Sequence, residues 1–158
     1  MTAIGITGHQ TIPPEALDYI VKGIRECVHS QAEPIRGYSS LASGADQLFA
    51  REVIATGGEL VAIIPCRGYE TTFSDGVALG VYEELITQST ETVTLDFTEP
   101  TEEAFLAAGK EVVGRSDVVI AVWDGLPARG RGGTADVEAH ARSLGKDVRI
   151  VWPEGVHR

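Results

Sequence analysis

The residues best suited to chemistry follow a strongly apolar segment at positions 118–123, VVIAVW. Asp124 and Gly125 come directly after it, and the glycine-rich stretch RGRGG follows at 129–133. From Thr134 onward, apolar residues recur at helical spacing. The first N–H groups of a helix lack intrahelical partners, and glycines let an anion approach them closely. This order of strand, glycine loop and helix predicts a phosphate site, with a purely structural loop as the equally weighted alternative.

Two other turns have the same strand-to-helix character: Gly8 and His9 follow the apolar segment AIGIT, and Ser43 and Gly44 precede a helical pattern. Because the carboxyl ends of parallel strands meet at one edge of a sheet, we expect the three turns to lie together. A turn histidine bonded to the backbone is an equally good interpretation of His9. The candidate ligand-binding residues are Gly8, His9, Ser43, Gly44, Asp124, Gly125, Arg131, Gly132, Gly133 and Thr134.

Asp136 and Glu138 are the candidate catalytic residues, since a carboxylate near a bound sugar can stabilise developing positive charge or activate water. Each has an alternative interpretation. Asp136 falls in the first turn of its helix, where an acid favours the helix dipole, and Glu138 is consistent with a solvent-exposed face. Thr134 could cap the helix, bind phosphate, or do both.

The chain lacks the sequence motifs of several other kinds of site. The first strand-to-helix turn has GITGH in place of the dinucleotide fingerprint, and Gly109-Lys110 lacks the upstream glycine of a phosphate-binding P-loop. The histidines and cysteines form no cluster at metal-ligand spacing, so no metal site is expected. No serine has a nucleophile-elbow context. We therefore expect no required cofactor and a nucleotide-type ligand.

Composition limits the class of protein. The chain has 158 residues, 43% of them hydrophobic, and a formal net charge of −10. We expect one domain spanning residues 1–158. The acidic balance predicts no nucleic-acid partner, because such a partner needs a basic face. No signal peptide or membrane-spanning run is visible, and Cys27 and Cys66 are interpreted as reduced thiols, so we expect a cytoplasmic protein with no membrane partner.

The hydrophobic pattern alternates between strands and helices along the whole chain. This predicts an α/β protein with a Rossmann-like, doubly wound, mostly parallel sheet and helices on both faces. Tyr69 and Phe73 lie in the loop-like segment 67–75 and could stack on a base or cover the core. Trp123 is expected in the core. The expected strands are 3–7, 35–42, 60–64, 93–97, 118–123 and 148–152.

Five collinear motifs resemble the SLOG superfamily of Rossmann-like nucleotide-ligand-binding proteins, related to the Lonely Guy enzymes and the DNA-processing protein A family. They are GITGH, SLASGADQLFA, the spacing of Pro65, Tyr69 and Phe73, SDVVIAVWDG, and RGGTAD. The resemblance implies a nucleotide or nucleotide-derived ligand. Its phosphate would lie against Gly132, Gly133 and Thr134, and its base or sugar near Gly8, Ser43, Gly44 and Asp124. It also implies a homodimer.

The catalytic signature of Lonely Guy enzymes, P-G-G-x-G-T-x-x-E, is imperfect here. The chain has RGGTADVE, with Val137 three residues after Thr134 and with Asp136 and Glu138 on either side of it. Three functions stay open. The first is nucleotide binding, as in a sensor. The second is hydrolysis of the N-glycoside bond of nucleoside 5′-monophosphates, and the third is a protein-interaction domain with a vestigial pocket.

Overall fold

A computed structural model of the chain describes residues 1–127 and 133–158. Within these ranges a six-stranded sheet is flanked by five α-helices. The strands are β1 (Thr2–Gly8), β2 (Ile35–Ser39), β3 (Glu59–Ile64), β4 (Glu91–Thr94), β5 (Val118–Val122) and β6 (Asp147–Ile150). The helices are α1 (Leu17–His29), α2 (Ala45–Ala55), α3 (Gly76–Gln88), α4 (Glu102–Gly114) and α5 (Thr134–Ser143).

The strand order is β4-β3-β2-β1-β5-β6, and every pairing among these strands is parallel. The chain moves outward from β1 to β4 and then returns through α4 to place β5 on the other side of β1. The order therefore reverses between β1 and β5, where a doubly wound sheet opens a crevice at the carboxyl ends of its strands. The predicted fold class is confirmed.

Helices cover both faces of the sheet. On one face Ile4 and Ile6 of β1 pack with Ile20 and Ile24 of α1 and with Phe49 of α2. On the other face Val119 of β5 packs with Val113 of α4 and with Val137 and Ala141 of α5. Strand β5 lies between β1 and β6 and is buried over its whole length, which is why it consists of five apolar residues without polar alternation.

Some element boundaries differ from the sequence-based expectation. Strand β2 ends at Ser39, because the Ser39 hydroxyl accepts a hydrogen bond from the Leu41 N–H at 3.0 Å and donates to the Asp46 carbonyl at 3.2 Å. These local bonds turn the chain out of the sheet. The segment expected as a loop over 67–75 contains a 3-10 helix at Tyr69–Thr72. No helix in the described ranges has the length and apolar character needed to cross a membrane.

Candidate functional site

A cleft of about 550 Å³ lies at the carboxyl edge of the sheet, around the point where the strand order reverses. Its walls come from the end of β1, the start of α2, residues 69–78, helix α4 and the start of α5. The structure thus brings together turns that are far apart in sequence. The predicted ligand-binding residues that line the cleft are Gly8, His9, Ser43, Gly133 and Thr134.

The N-terminus of α5 faces this cleft with open hydrogen-bond donors. Gly133 is the N-cap residue and has no side chain with which to cap the helix. Its carbonyl accepts from the N–H groups of Asp136 and Val137, at 3.1 and 3.3 Å. The N–H groups of Thr134 and Ala135 have no hydrogen-bond partner among the described residues, and both residues line the cleft. An anion placed there would meet unpaired donors and the positive end of the helix dipole.

The N-terminus of α2 contributes to the same cleft. Its N-cap residue is Gly44, again without a capping side chain, and the Ala45 N–H donates to the His9 carbonyl at 3.2 Å. By contrast, α3 and α4 are capped by the side chains of Asp75 and Thr101. Helix α1 also begins without a capping side chain, but it continues directly from the 3-10 turn Pro14–Ala16, so among the helix starts that line the cleft α2 and α5 are the ones without a side-chain cap.

Gly44 and Gly125 have conformational reasons to be glycine. Gly44 has φ of +84°, and a Cβ there would lie 2.4 Å from the Gln10 carbonyl oxygen and 2.5 Å from that of His9. Gly125 also has φ of +84°, but open space surrounds the place of its Cβ. Left-handed backbone of this kind favours glycine without any ligand. The ligand-binding role proposed for these two residues stays a prediction.

His9 and Asp124 form a polar cluster beside the cleft. The Asp124 N–H donates to His9 Nε2 at 3.1 Å, and the Asp124 carboxylate lies 3.3 Å from the same nitrogen. Asp124 also accepts from the Arg158 guanidinium at 2.7 Å and from the Leu126 N–H at 3.0 Å. The imidazole packs edge-on against Trp152, with ring centroids 5.2 Å apart.

The charge state of Asp124 follows from these contacts. Burial alone would raise the pKa of its carboxyl. The Leu126 N–H, Arg158 and His9 outweigh burial and lower the pKa below its ordinary value. Asp124 is therefore an anion at neutral pH whose oxygens already have protein partners. Its main action on a ligand would be through His9, which lines the cleft and which it orients.

The two candidate catalytic carboxylates do not line the cleft. Asp136 is exposed to solvent on α5. Glu138, expected on a solvent-exposed face, is only 5% exposed and forms an ion pair with Arg142 one helical turn later. Its position was readable from the sequence, because Thr134, Val137, Glu138 and Ala141 form one buried stripe of α5. Arg131 and Gly132 lie outside the described residues.

Asp46 is a cleft residue that the sequence analysis missed. It lies in the first turn of α2, is 9% exposed and lines the cleft. One carboxylate oxygen accepts from the Ala42 N–H at 3.2 Å. Burial raises the pKa of this carboxyl from 3.8 to about 7, against the opposing effect of the Ala42 hydrogen bond. The signal in the sequence is its place on the apolar stripe that continues through Phe49, Ala50 and Val53.

Aromatic side chains form the wall of the cleft beside Asp46. Tyr69 packs edge-on against Phe73 and Phe105, with ring centroids 5.5 and 6.3 Å apart, and all three residues line the cleft. Tyr82 packs behind them. Trp123, expected in the core, is half-buried and also lines the cleft, with its indole N–H donating to the Leu126 carbonyl at 2.8 Å. It follows the last buried residue of β5, where the strand leaves the sheet.

The raised pKa of Asp46 predicts a stability that depends on pH. The folded protein binds the proton of Asp46 more tightly than the unfolded chain does, so this proton stabilises the fold. The stabilisation is complete below pH 3.8 and is lost as the pH rises through about 7. Between pH 5 and 8 the free energy of unfolding of the wild type is expected to fall by about 2 kcal/mol more than that of Asp46→Asn. Urea titrations of both proteins at the two pH values measure this difference. Parallel pH profiles would contradict it.

No group of histidine, cysteine, aspartate or glutamate residues within 1–127 and 133–158 is arranged to hold a metal ion. Cys27 on α1 and Cys66 after β3 are free thiols. The chemistry available in the described part of the cleft is therefore hydrogen bonding, aromatic stacking and proton exchange at Asp46.

Comparisons of the sequence with protein-family models and with curated proteins give no match. Solved structures do match. DNA processing protein A from Helicobacter pylori, whose structure addresses its single-stranded DNA binding mode, gives a TM-score of 0.70 at 19% identity over 94% of this chain and 64% of that one. DNA processing protein A from Streptococcus pneumoniae gives a TM-score of 0.66 at 18% identity, and the match covers 94% of this chain and 50% of that one. The structural-genomics target TM1055 gives a TM-score of 0.60 at 19% identity, and the match covers 94% of this chain and 72% of that one.

The expectation that nucleic acid is excluded as a partner is wrong. It rested on the net charge of −10, yet structures that match this fold include a protein that binds single-stranded DNA. A net charge sums over the whole surface, whereas binding in a cleft depends on the local field and on oriented backbone N–H groups. The homodimer implied by the resemblance stays a prediction.

The chain spans about two thirds and one half of the two DNA processing protein A chains that it matches. At this level of identity the likeness concerns the fold. It shows a Rossmann-like fold.

Proposed function

We propose that this chain binds a nucleotide or a nucleotide-derived small molecule in the cleft where the strand order reverses. The observation that carries the proposal is the N-terminus of α5, where the N–H groups of Thr134 and Ala135 face the cleft without a hydrogen-bond partner among the described residues. Open donors at a helix start, next to a crevice of about 550 Å³, suit a phosphate group with an organic part attached.

The rest of the cleft suits the organic part of such a ligand. Tyr69, Phe73 and Phe105 offer flat apolar surface for a base, and Ser43 and His9 offer polar groups within the same space. The β1–β5 switch point supports the same placement, because open α/β sheets bind ligands there. A role as a sensor would follow from binding without turnover.

Binding is better supported than hydrolysis of nucleoside 5′-monophosphates. Neither Asp136 nor Glu138 lines the cleft, and Glu138 is paired with Arg142. Hydrolysis by these two carboxylates would require them to reach a sugar from outside the cleft wall.

Ligand-observed saturation-transfer NMR with adenosine, guanosine, cytidine and uridine 5′-monophosphates tests the proposal. Ribose 5-phosphate and a short oligothymidylate complete the panel, the second because a protein of this fold binds single-stranded DNA. We expect saturable binding of at least one nucleoside monophosphate and no release of free base over several hours.

Three outcomes can be told apart in these samples. Release of free base would establish the hydrolase in place of the binding protein. Binding of the oligothymidylate alone would replace the small ligand by a nucleic acid. If no member of the panel binds, nucleotide binding by this cleft is refuted.

A further inference from the structure

We propose that Asp46 and Tyr69 form a subsite that recognises a hydrogen-bond-donating group on the nucleobase of the ligand. This subsite rests on the proposed nucleotide-binding function and lies in the part of the cleft away from the start of α5. Asp46 comes from the start of α2, and Tyr69 comes from the 3-10 helix after β3.

Asp46 has hydrogen-bonding capacity that the protein does not use. Its carboxylate accepts one hydrogen bond, from the Ala42 N–H to Oδ2, and Oδ1 has no partner among the described residues. The side chain is nine-tenths buried, and what remains exposed faces the cleft. Oδ1 is therefore not sealed off and can be reached from the cleft, and a ligand N–H bonded to it would offset part of the cost of burying most of the carboxylate.

Tyr69 presents a second polar atom to the same space. Its ring is held by Phe73, Tyr82 and Phe105, and the residue is 4% exposed. Its hydroxyl has no hydrogen-bond partner within 1–127 and 133–158 and is not sealed off, and the residue lines the cleft. Burial, followed by the nearby charge of Asp46, raises the pKa of this hydroxyl well above its ordinary value. It therefore keeps its proton and can donate or accept.

The chemistry around this pair selects a base over a phosphate or a sugar. A carboxylate repels phosphate, while the open N–H groups at the start of α5 attract it. The surface next to Asp46 is aromatic, formed by Tyr69, Phe73 and Phe105, and favours a flat ring. A base lying on that wall would direct a ring-edge amino or imino group toward the carboxylate oxygen. Amino groups of this kind are the donors that aspartate accepts from in nucleobases.

Recognition by Asp46 couples ligand binding to a proton. Among the described residues, the other titratable groups that line the cleft are His9 after β1, Tyr69, Asp75 at the start of α3, Glu102 at the start of α4, and Arg158. Of these, Tyr69 is the one whose pKa is raised by the charge of Asp46. A donor placed against the carboxyl favours its ionised form. Binding near pH 7 should therefore release up to about half a proton per ligand, and affinity should fall as the pH is lowered toward 5.5.

Isothermal titration calorimetry measures both effects. The probes are adenosine, guanosine and cytidine 5′-monophosphates, each with an amino group on the base, and ribose 5-phosphate, which has no base. Asp46→Asn should weaken binding of the nucleotides that bind the wild type by about 10- to 100-fold and abolish the proton release, while leaving the affinity for ribose 5-phosphate unchanged. Tyr69→Phe should weaken nucleotide binding by roughly 2- to 10-fold. Asp75→Asn is the matched control, because it removes a carboxylate from the same cleft while asparagine keeps the cap of α3.

The outcomes separate this proposal from the function on which it rests. Nucleotide affinity within twofold of the wild type in Asp46→Asn would overturn the subsite and leave nucleotide binding intact. An equal loss for ribose 5-phosphate would assign Asp46 to the sugar and overturn recognition of the base. The wild type alone provides an independent test. Titrations with a nucleotide in two buffers of different ionisation enthalpy must show proton release, and the absence of proton release would overturn the subsite. Failure of every probe to bind the wild type would overturn both proposals.

Discussion

Replacing Gly44 by alanine is expected to lower the free energy of unfolding by roughly 3 kcal/mol or more, and the melting temperature by about 6–12 °C. Two costs add at this position. The backbone has φ of +84° and ψ of −129°, which a residue with a Cβ rarely adopts. The Cβ would also lie 2.4 and 2.5 Å from the carbonyl oxygens of Gln10 and His9, which are backbone atoms that cannot rotate away. Thermal unfolding followed by circular dichroism measures the loss.

Gly57→Ala separates these two costs. Gly57 also has a positive φ, of +79°, but nothing lies within 4 Å of the place of its Cβ. This variant should lose only the conformational part, about 1 kcal/mol. A Gly44→Ala protein no less stable than Gly57→Ala would show that the turn between β2 and α2 can relax. It would also remove the structural reason for glycine there and leave the ligand as the explanation.

Gly80→Ala is expected to raise the free energy of unfolding, in contrast to the other two glycine variants. Gly80 lies within α3, and open space surrounds its Cβ position. Alanine there should stabilise the protein by about 0.5–1 kcal/mol, since it reduces the conformational entropy of the unfolded chain and has a higher helix propensity than glycine. The three glycine variants together test whether steric contact or backbone conformation dominates at Gly44.

The fold was predictable because its strongest sequence signals are local. Strand β5 is buried on both faces and therefore consists of apolar residues without alternation. The end of β2 was not predictable in this way. It depends on the Ser39 hydroxyl bonding to Leu41 and to the Asp46 carbonyl in the first turn of α2, a contact that the hydrophobic pattern does not encode.

The position of the cleft was predictable, whereas the residues that line it were predictable only in part. Glycine turns at strand ends indicated the edge of the sheet at which the cleft lies, since parallel strands all end there. Asp46 was overlooked because an acid in the first turn of a helix has a sufficient local explanation in the helix dipole. Its burial depends on the segment around Tyr69, which is far away in sequence. Glu138 was assigned to solvent although the helical stripe of α5 already placed it inside.

Replacing Gly133 by aspartate is expected to weaken binding of a nucleoside monophosphate by at least about 100-fold while leaving α5 folded. Gly133 is the N-cap of α5 with φ of −71° and ψ of 169°, extended backbone that any residue adopts. Aspartate is a favoured N-cap residue, so its side chain would accept from the open N–H groups of the first turn. Its carboxylate would then occupy the place of the phosphate and repel the ligand. Affinity measured by calorimetry, with helix content checked by circular dichroism, tests this expectation.

Gly133→Asn is the matched control, because asparagine caps a helix as well as aspartate does but carries no charge. Both variants would bond the open N–H of Ala135, the second residue of the helix, so both should bind more weakly than the wild type, and only aspartate adds repulsion. The difference between them should shrink as salt is raised from 0.05 to about 0.5 M, since screening acts on the charge and leaves the hydrogen bonds. Equal affinities for Gly133→Asp and Gly133→Asn at low salt would mean that no anion lies near this helix start. The phosphate would then have to be placed elsewhere in the cleft, and the open donors of α5 would lose their role in the proposed function.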